Sequence, residues 1–293
     1  MTSGDRRRIE ELFVRYELEP TIRDVYVEGG VDVALINQFL KDSKCTDVSV
    51  YEISTIAVSR ELVEELELEN NDRGRAICLG MTMESKLGQD NAQVTCVVDS
   101  DFDVFLQKEY ECRIVLFTDY TCLEMYLFSA KTIEKFFSVF LRGFPFSSVM
   151  VLRALTDTLQ EVFMIRLANR VLEWNLEWLS FERCCLADGA RIQFDREDYI
   201  TRYLNKNGVG GADKKQEFIG NVESLRNKLL PEPRYQIHGH DFINLFCWFI
   251  KKNINKAELA RPDIVTRSLS LCVSHEDLAK ENLFKQLLQR VRN

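Results

Sequence analysis

Three carboxylates fall within five residues at Asp99-Ser100-Asp101-Phe102-Asp103, directly after the apolar run Val94-Thr95-Cys96-Val97-Val98. Alternate residues of an extended chain point the same way, so this spacing crowds like charges together. No Lys or Arg lies between them to relieve the repulsion. A hard divalent cation does relieve it, because Mg²⁺ and Mn²⁺ prefer carboxylate oxygen. Carboxylate-held Mg²⁺ equips a site for phosphodiester hydrolysis: it neutralises the phosphate, activates a water and stabilises the leaving oxygen. The competing reading is an Asp-rich turn that caps the next helix.

The elements around this stretch decide whether such a site can be assembled. The run 94–98 is short and β-branched, which predicts a buried strand. Ile22-Arg23-Asp24-Val25-Tyr26-Val27-Glu28 is a second strand-like run ending in a carboxylate. Gly29-Gly30 follows and permits a tight turn, and the apolar positions Val33, Ile36, Phe39 and Leu40 then repeat at helical spacing. Further strands are expected at 48–53 and 113–118, with helices at 59–69 and 73–87. A long helix is expected from about 122 to 141. Strands alternating with helices over short connections imply an α/β fold with a parallel sheet. Such sheets bind ligands at the C-terminal ends of their strands. Glu28, Asp99 and Asp119 all sit at such ends, which strengthens the metal reading.

Past Gly143-Phe144-Pro145 the pattern becomes mostly helical. Residues 148–180 carry Leu, Val, Met and Trp at helical spacing, with Trp174 and Trp178 one turn apart. Residues 205–215 are Gly- and Lys-rich and are expected to form a mobile surface loop. They lack the strand–loop–helix setting of a P-loop. A helix is expected at 216–229, then an apolar helix to Ile250 capped by Asp241, and one amphipathic helix over 275–292. The expected organisation is an N-terminal arm or helix (1–20), a metal-binding α/β domain (21–145) and a mostly helical domain (146–293) for partner, dimer or substrate contacts.

Composition bounds the class. The chain has 293 residues, a formal net charge of −8 and 46% hydrophobic residues, which suit a soluble globular protein and not a general nucleic-acid coat. Residues 1–145 carry 16 Lys+Arg against 27 Asp+Glu, and residues 146–293 carry 22 against 19, so phosphate contacts are expected from the C-terminal half. Arg142, Lys214 and Lys215 are the candidates, with Arg166 and Arg170 beside them. The nine cysteines show no C-x-x-C pair, which is consistent with reduced thiols. No signal-peptide core or membrane-length apolar run is evident, so the expected location is the cytoplasm, without membrane attachment.

Val25-Tyr26-Val27-Glu28-Gly29-Gly30-Val31-Asp32 resembles the first motif of Toprim domains, and Val97-Val98-Asp99-Ser100-Asp101 resembles their Asp-x-Asp motif. Thr118-Asp119-Tyr120 with Glu124, then Gly239-His240-Asp241 opening an apolar helix, extend the likeness. The pattern is similar to a group of Toprim-like nucleases encoded beside ABC- or AAA-type ATPases in bacterial anti-phage systems, of the kind found in the PARIS defence system. The resemblance covers about 22–141 and 238–246.

It implies a Toprim-like sheet and a Mg²⁺-dependent nuclease, a toxin of abortive infection. Such a toxin is released or activated by its ATPase partner, homodimeric when active, and cleaves RNA, transfer RNA foremost. Glu28, Asp99 and Asp101 are then the catalytic residues and metal ligands, with Glu28 as a third ligand or as the base. Asp32, Asp103, Asp119, Glu124 and His240 are second-tier candidates. Asp32 and Asp119 can instead cap helices, Glu124 can favour a helix dipole, and the His238–His240 pair reads equally as structural. Arg75 and Lys86 match no basic helper motif. Two rivals remain: a catalytically idle Toprim-like subunit that docks on the ATPase, and a receiver-like or phosphohydrolase α/β domain. The Glu-Gly-Gly end of the first strand disfavours the latter.

Overall fold

The computed structural model describes residues 6–254 and 257–292; Met1–Asp5, the first part of the expected N-terminal arm, lie outside them. In chain order the elements are β1 (Arg7–Arg8), α1 (Ile9–Leu18), β2 (Arg23–Val27), α2 (Gly30–Asp42), β3 (Val48–Glu52), β4 (Ile56–Ala57), α3 (Arg60–Glu65), α4 (Asp72–Leu87) and β5 (Val94–Val98). Next come α5 (Asp103–Leu106), β6 (Val115–Phe117), α6 (Ala130–Val139), α7 (Ser148–Val171), β7 (Cys185–Asp188), β8 (Arg191–Phe194) and α8 (Arg196–Lys206). The chain continues with α9 (Ala212–Arg226), α10 (Gly239–Asn253), α11 (Pro262–Cys272), α12 (His275–Leu278) and α13 (Asn282–Arg292). They divide into two units. The first holds residues 1–100, 108–123 and 274–293, and the second holds 101–107 and 124–273.

The first unit is α/β. Its sheet has the order β3-β2-β5-β6, all parallel. Strand alternation sends Tyr26, Val94, Cys96 and Val98 to one face, where they share a core with Ile9, Leu12 and Tyr16 of α1 and Ala76, Ile77, Leu79 and Met83 of α4. The opposite face belongs to α2 and α13. Phe39 of α2 meets Phe284 of α13 at 4.6 Å between ring centres, and Arg290 of α13 reaches Thr95 at 3.0 Å. Each fully buried side chain of this size contributes about 1.5–3 kcal/mol. Gly80 lets α4 lie close to the sheet, since a Cβ there would stand 2.3 Å from Val115 Cγ2.

Arg290 fixes α13 in place. It donates to Thr95 Oγ1 and to the backbone carbonyls of Asn91, Val94 and Arg113, at 2.6 to 3.0 Å. Burial pulls its guanidinium below the usual value. Arg290→Ala leaves carbonyls at the entry to β5 without a donor and is expected to lower stability by about 3 kcal/mol, read as a shift of the urea midpoint at constant m. A change under about 0.5 kcal/mol would show that water replaces the guanidinium.

The second unit is helical apart from the β7–β8 hairpin, which is antiparallel. α7 runs through it, with Val151, Leu155, Leu159, Val162 and Phe163 buried. No helix among the described residues is long and apolar enough to cross a membrane.

Several helix expectations need correction. The helix expected from 122 to 141 is broken: a 3₁₀ turn spans Leu123–Leu127, and Ser129 Oγ then accepts the Thr132 N–H at 3.1 Å and starts α6 afresh. α7 stops at Val171, because Glu173 and Asn175 adopt left-handed φ of 53° and 51° and the Asn169 side chain captures the Leu176 N–H at 3.0 Å. Trp174 and Trp178 therefore lie beyond the helix, where they pack on Phe218 and on Tyr199 and Tyr203. The long Gly/Lys loop shrinks to residues 207–211, and Lys214 and Lys215 belong to the first turn of α9. The C-terminal helix is two, α12 and α13. The β7–β8 hairpin was not expected.

Candidate functional site

Parallel strands end on one edge, and this sheet ends there in acids. Glu28 follows β2 directly, and Asp99 follows β5. Glu52 closes β3, in register with Val27. β2 and β5 are neighbours, and their acids touch: the Glu28 carboxylate accepts the Asp99 N–H at 2.8 Å. Asp99 Oδ1 accepts the Leu123 N–H at 3.1 Å, and its carbonyl accepts from Arg73 Nε at 2.8 Å. Ser100 is buried behind it. Its N–H goes to Thr118 Oγ1 at 2.9 Å, and its hydroxyl donates to the Thr118 carbonyl. The turn that presents Asp99 is thus pinned by the β2 acid, by α4 and by the end of β6.

Arg73 and Glu52 are the residues the sequence pattern did not single out. Arg73 lies in the first turn of α4, with its guanidinium over the rings of Tyr110 and Phe117 at 5.4 and 5.9 Å. It is a cation directly on the acidic edge, whereas Arg75 turns to Asn70 and Asp72. Glu52 stands against the glycine turn. A Cβ at Gly30 would come within 2.8 Å of Glu52 Oε1, so the close approach that the paired glycines allow is made by this carboxylate. Its signal was the one used for Glu28, an acid at a strand's last position.

Asp32 bonds the Gly29 N–H at 2.9 Å and closes the first turn of α2. Asp119 caps a helix, but not the one that follows it: its carboxylate takes the Leu283 N–H at 3.0 Å, at the start of α13. Cys122 is buried, with its sulfur and the Asp99 carboxylate within 4.8 Å. Asp24 lies at the opposite end of β2, 1% exposed, held by Arg15 and Tyr16 at 2.7 and 2.9 Å. Burial lifts its carboxyl above the usual range, with Tyr16 and Arg15 pulling it back.

The structure brings Glu28 and Asp99 together. Asp32 and Asp119 share their unit but serve the helix contacts above, and the remaining predicted residues, Asp101, Asp103, Glu124, Arg142, Lys214, Lys215 and His240, belong to the second unit. Asp101 has a left-handed φ of 45°, and Asp103 opens α5. Their segment is anchored by Phe102 and Phe105 on Phe163 of α7, at 5.0 and 5.5 Å. Glu124 lies in the 3₁₀ turn. His240 is exposed in the first turn of α10, and Arg142 is exposed beyond α6. Lys214 pairs with Glu217 at 2.8 Å and lies over Trp174. Arg166 is committed to Asp241, at 2.5 and 2.8 Å, so Asp241 is an ion-pair partner instead of a helix cap.

His238 sits beside that pair. Its Nδ1 is enclosed with no hydrogen-bond partner among the described residues, and burial, with Arg166 and His240, pushes its pKa down to about 3. The folded chain therefore holds it neutral. The stability this contributes is complete above the unfolded pKa near 6.5 and is lost as pH falls toward 3. Urea titrations between pH 6.5 and 4 are expected to lose about 1.4 kcal/mol per pH unit from this residue. His238→Gln is expected to flatten that slope. An unchanged slope would mean that the imidazole charges in place.

As donors for a hard cation, the Glu28 and Asp99 carboxylates fit, and each N–H bond they accept uses one of about four lone-pair sites. A Cys122 thiolate suits softer metals and adds nothing to a Mg²⁺ site. No protein-family model matches the chain, and no curated protein matches it in sequence.

Proposed function

We propose that the chain is a Toprim-like, Mg²⁺-dependent nuclease that hydrolyses phosphodiester bonds of RNA, transfer RNA foremost. The observation that supports this most directly is the contact between Glu28 and Asp99 across adjacent parallel strands, on the edge where open α/β sheets bind ligands. The sequence resemblance adds the setting: the toxin of an anti-phage system, homodimeric when active and released or activated by an ABC- or AAA-type ATPase.

Glu28 and Asp99 are the residues of the first unit that would hold Mg²⁺, and Asp101 is the further ligand that the sequence resemblance implies. Bound there, the ion supplies phosphate neutralisation and a more acidic water. Glu28 would accept the proton of the attacking water as its oxygen bonds to phosphorus, while the P–O bond to the leaving ribose oxygen breaks and that oxygen takes a proton from solvent. Asp99 is held for its part by the Leu123 N–H, and Arg73 is a positioning residue that holds the Asp99 carbonyl.

One observation favours a second reading, the idle binding subunit: Glu28, Asp99, Asp32 and Asp119 each accept a backbone N–H, which is also what structural carboxylates do. Incubation of the full chain with total cellular RNA and plasmid DNA separates the two, with Mg²⁺ or chelator and with or without the neighbouring ATPase. RNA cleavage that needs Mg²⁺ and disappears in Asp99→Ala/Asp101→Ala is expected. No cleavage in any arm, with the ATPase still bound, would overturn the nuclease reading in favour of the second.

A further inference from the structure

The second unit contains a cleft of about 490 Å³ between the N-terminal half of α7 and the β7–β8 hairpin. α7 contributes Met150, Arg153 and Asp157, the hairpin contributes Arg191 and Ile192, and alanines on both walls leave room between them. The two arginines stand apart from six others in this unit. Arg166, Arg196, Arg202, Arg226, Arg234 and Arg261 all have carboxylate partners. Among the described residues Arg153 and Arg191 have none within 4.0 Å, although Asp157 lies four residues after Arg153, a spacing that permits a helix ion pair. A second basic cleft, of about 460 Å³ and lined by Arg183, Arg202 and Lys206, differs in this respect. Its Arg202 and Lys206 are already neutralised by Asp198 and Glu177.

We infer that the Arg153–Arg191 cleft receives one nucleotide of a single-stranded RNA, a proposal that rests on the nuclease reading above. Guanidinium forks match phosphate oxygens in pairs, and two of them without internal partners supply the positive end. Met150, 51% exposed, and Ile192 offer an apolar surface to a base. The Asp157 carboxylate accepts a hydrogen bond from a ribose hydroxyl or an exocyclic amine. The volume lies within the range of small-ligand sites. Both arginines are exposed, so their charges stay hydrated. That suits a strand lying across the surface better than a free nucleotide sealed inside.

The test is fluorescence anisotropy of a labelled single-stranded RNA oligonucleotide on the full-length chain carrying Glu28→Gln, so that binding is read apart from cleavage. Arg153→Ala/Arg191→Ala is expected to weaken binding at least tenfold. It should also make the plot of log affinity against log salt shallower by about 1.4, two phosphate contacts at roughly 0.7 each. Arg267→Ala, which removes an exposed arginine on α11, is expected to change neither. Thermal melting of each variant checks that it is folded. Wild-type affinity and slope in the double variant would overturn the proposal, as would an equal loss in Arg267→Ala. Binding of adenosine monophosphate at the cleft without binding of the oligonucleotide would overturn the strand assignment. A chain with native Glu28 that binds RNA through these arginines yet cleaves none with Mg²⁺ and the neighbouring ATPase present would overturn the nuclease reading and leave the cleft standing.

Discussion

Glu28→Gln is expected to reduce Mg²⁺-dependent RNA cleavage by about 10³-fold while leaving stability within about 1 kcal/mol of the native chain. Glu28 has two duties. As a neighbour of Asp99, Glu28 is an acceptor for a backbone N–H at 2.8 Å, and an amide oxygen of the same length fills that place. As a metal ligand or base it needs its charge and its basicity, and the amide has neither. Glu28→Ala removes both duties and is expected to lower the urea midpoint as well, since it strips the acceptor from the turn that presents Asp99. Cleavage rates and unfolding curves on the same preparations read the two effects independently. Full activity in Glu28→Gln would remove Glu28 from the reaction and leave it as a turn-holding residue.

The second large effect concerns stability. Arg166→Met is expected to lower it by about 3–5 kcal/mol, because Asp241, 3% exposed in its side chain, would keep its charge without a partner. The guanidinium also lies 3.7 Å from the centre of the Trp178 ring. Trp178 fluorescence in the folded state should therefore shift with the substitution. Arg166→Met with Asp241→Leu is expected to regain most of the loss, since a buried ion pair replaced on both sides by apolar groups removes the desolvation penalty too. A double variant as unstable as Arg166→Met alone would show that the loss comes from packing against Trp178 and not from the stranded carboxylate. Urea midpoints of the three variants complete the cycle.

The parts of the fold that rest on local pattern were legible in the sequence. β5 begins and ends where its β-branched run does, and β2 falls inside the run that ends at Glu28. The parallel arrangement followed from alternation of strands and helices. Local apolar spacing does not record where a helix is interrupted. The Ser129 hydroxyl competes for a backbone N–H, and Glu173 and Asn175 turn left-handed; neither event disturbs the apolar pattern that predicted continuous helices. The β7–β8 hairpin did carry a signal, Gly189 between two short apolar-bearing runs: the two-residue turn is Gly189-Ala190, closed by the Asp188–Arg191 pair, and Gly189 supplies its positive φ of 57°.

Within the candidate site, Glu28 and Asp99 could be read from strand ends. Arg73 could not, since its bond is to a carbonyl 26 residues away and nothing local marks it. Asp119 was legible as a capping residue. Its helix was not, because α13 comes 164 residues later.

That last contact sets an order of events during synthesis. The sheet of the first unit is complete at β6, but α13, which covers one face of it and takes its cap from Asp119, emerges only after the 150 residues from Glu124 to Val273 have been made. At about 5–20 residues per second this is a delay of roughly 8–30 s. During that interval Phe39 of α2 lacks the ring of Phe284, and the carbonyls that will receive Arg290 face water. The acid-bearing unit therefore matures after the helical one is fully translated. Ribosome-bound chains stopped before residue 274 should leave this sheet open to proteolysis, whereas chains carried through residue 292 should protect it.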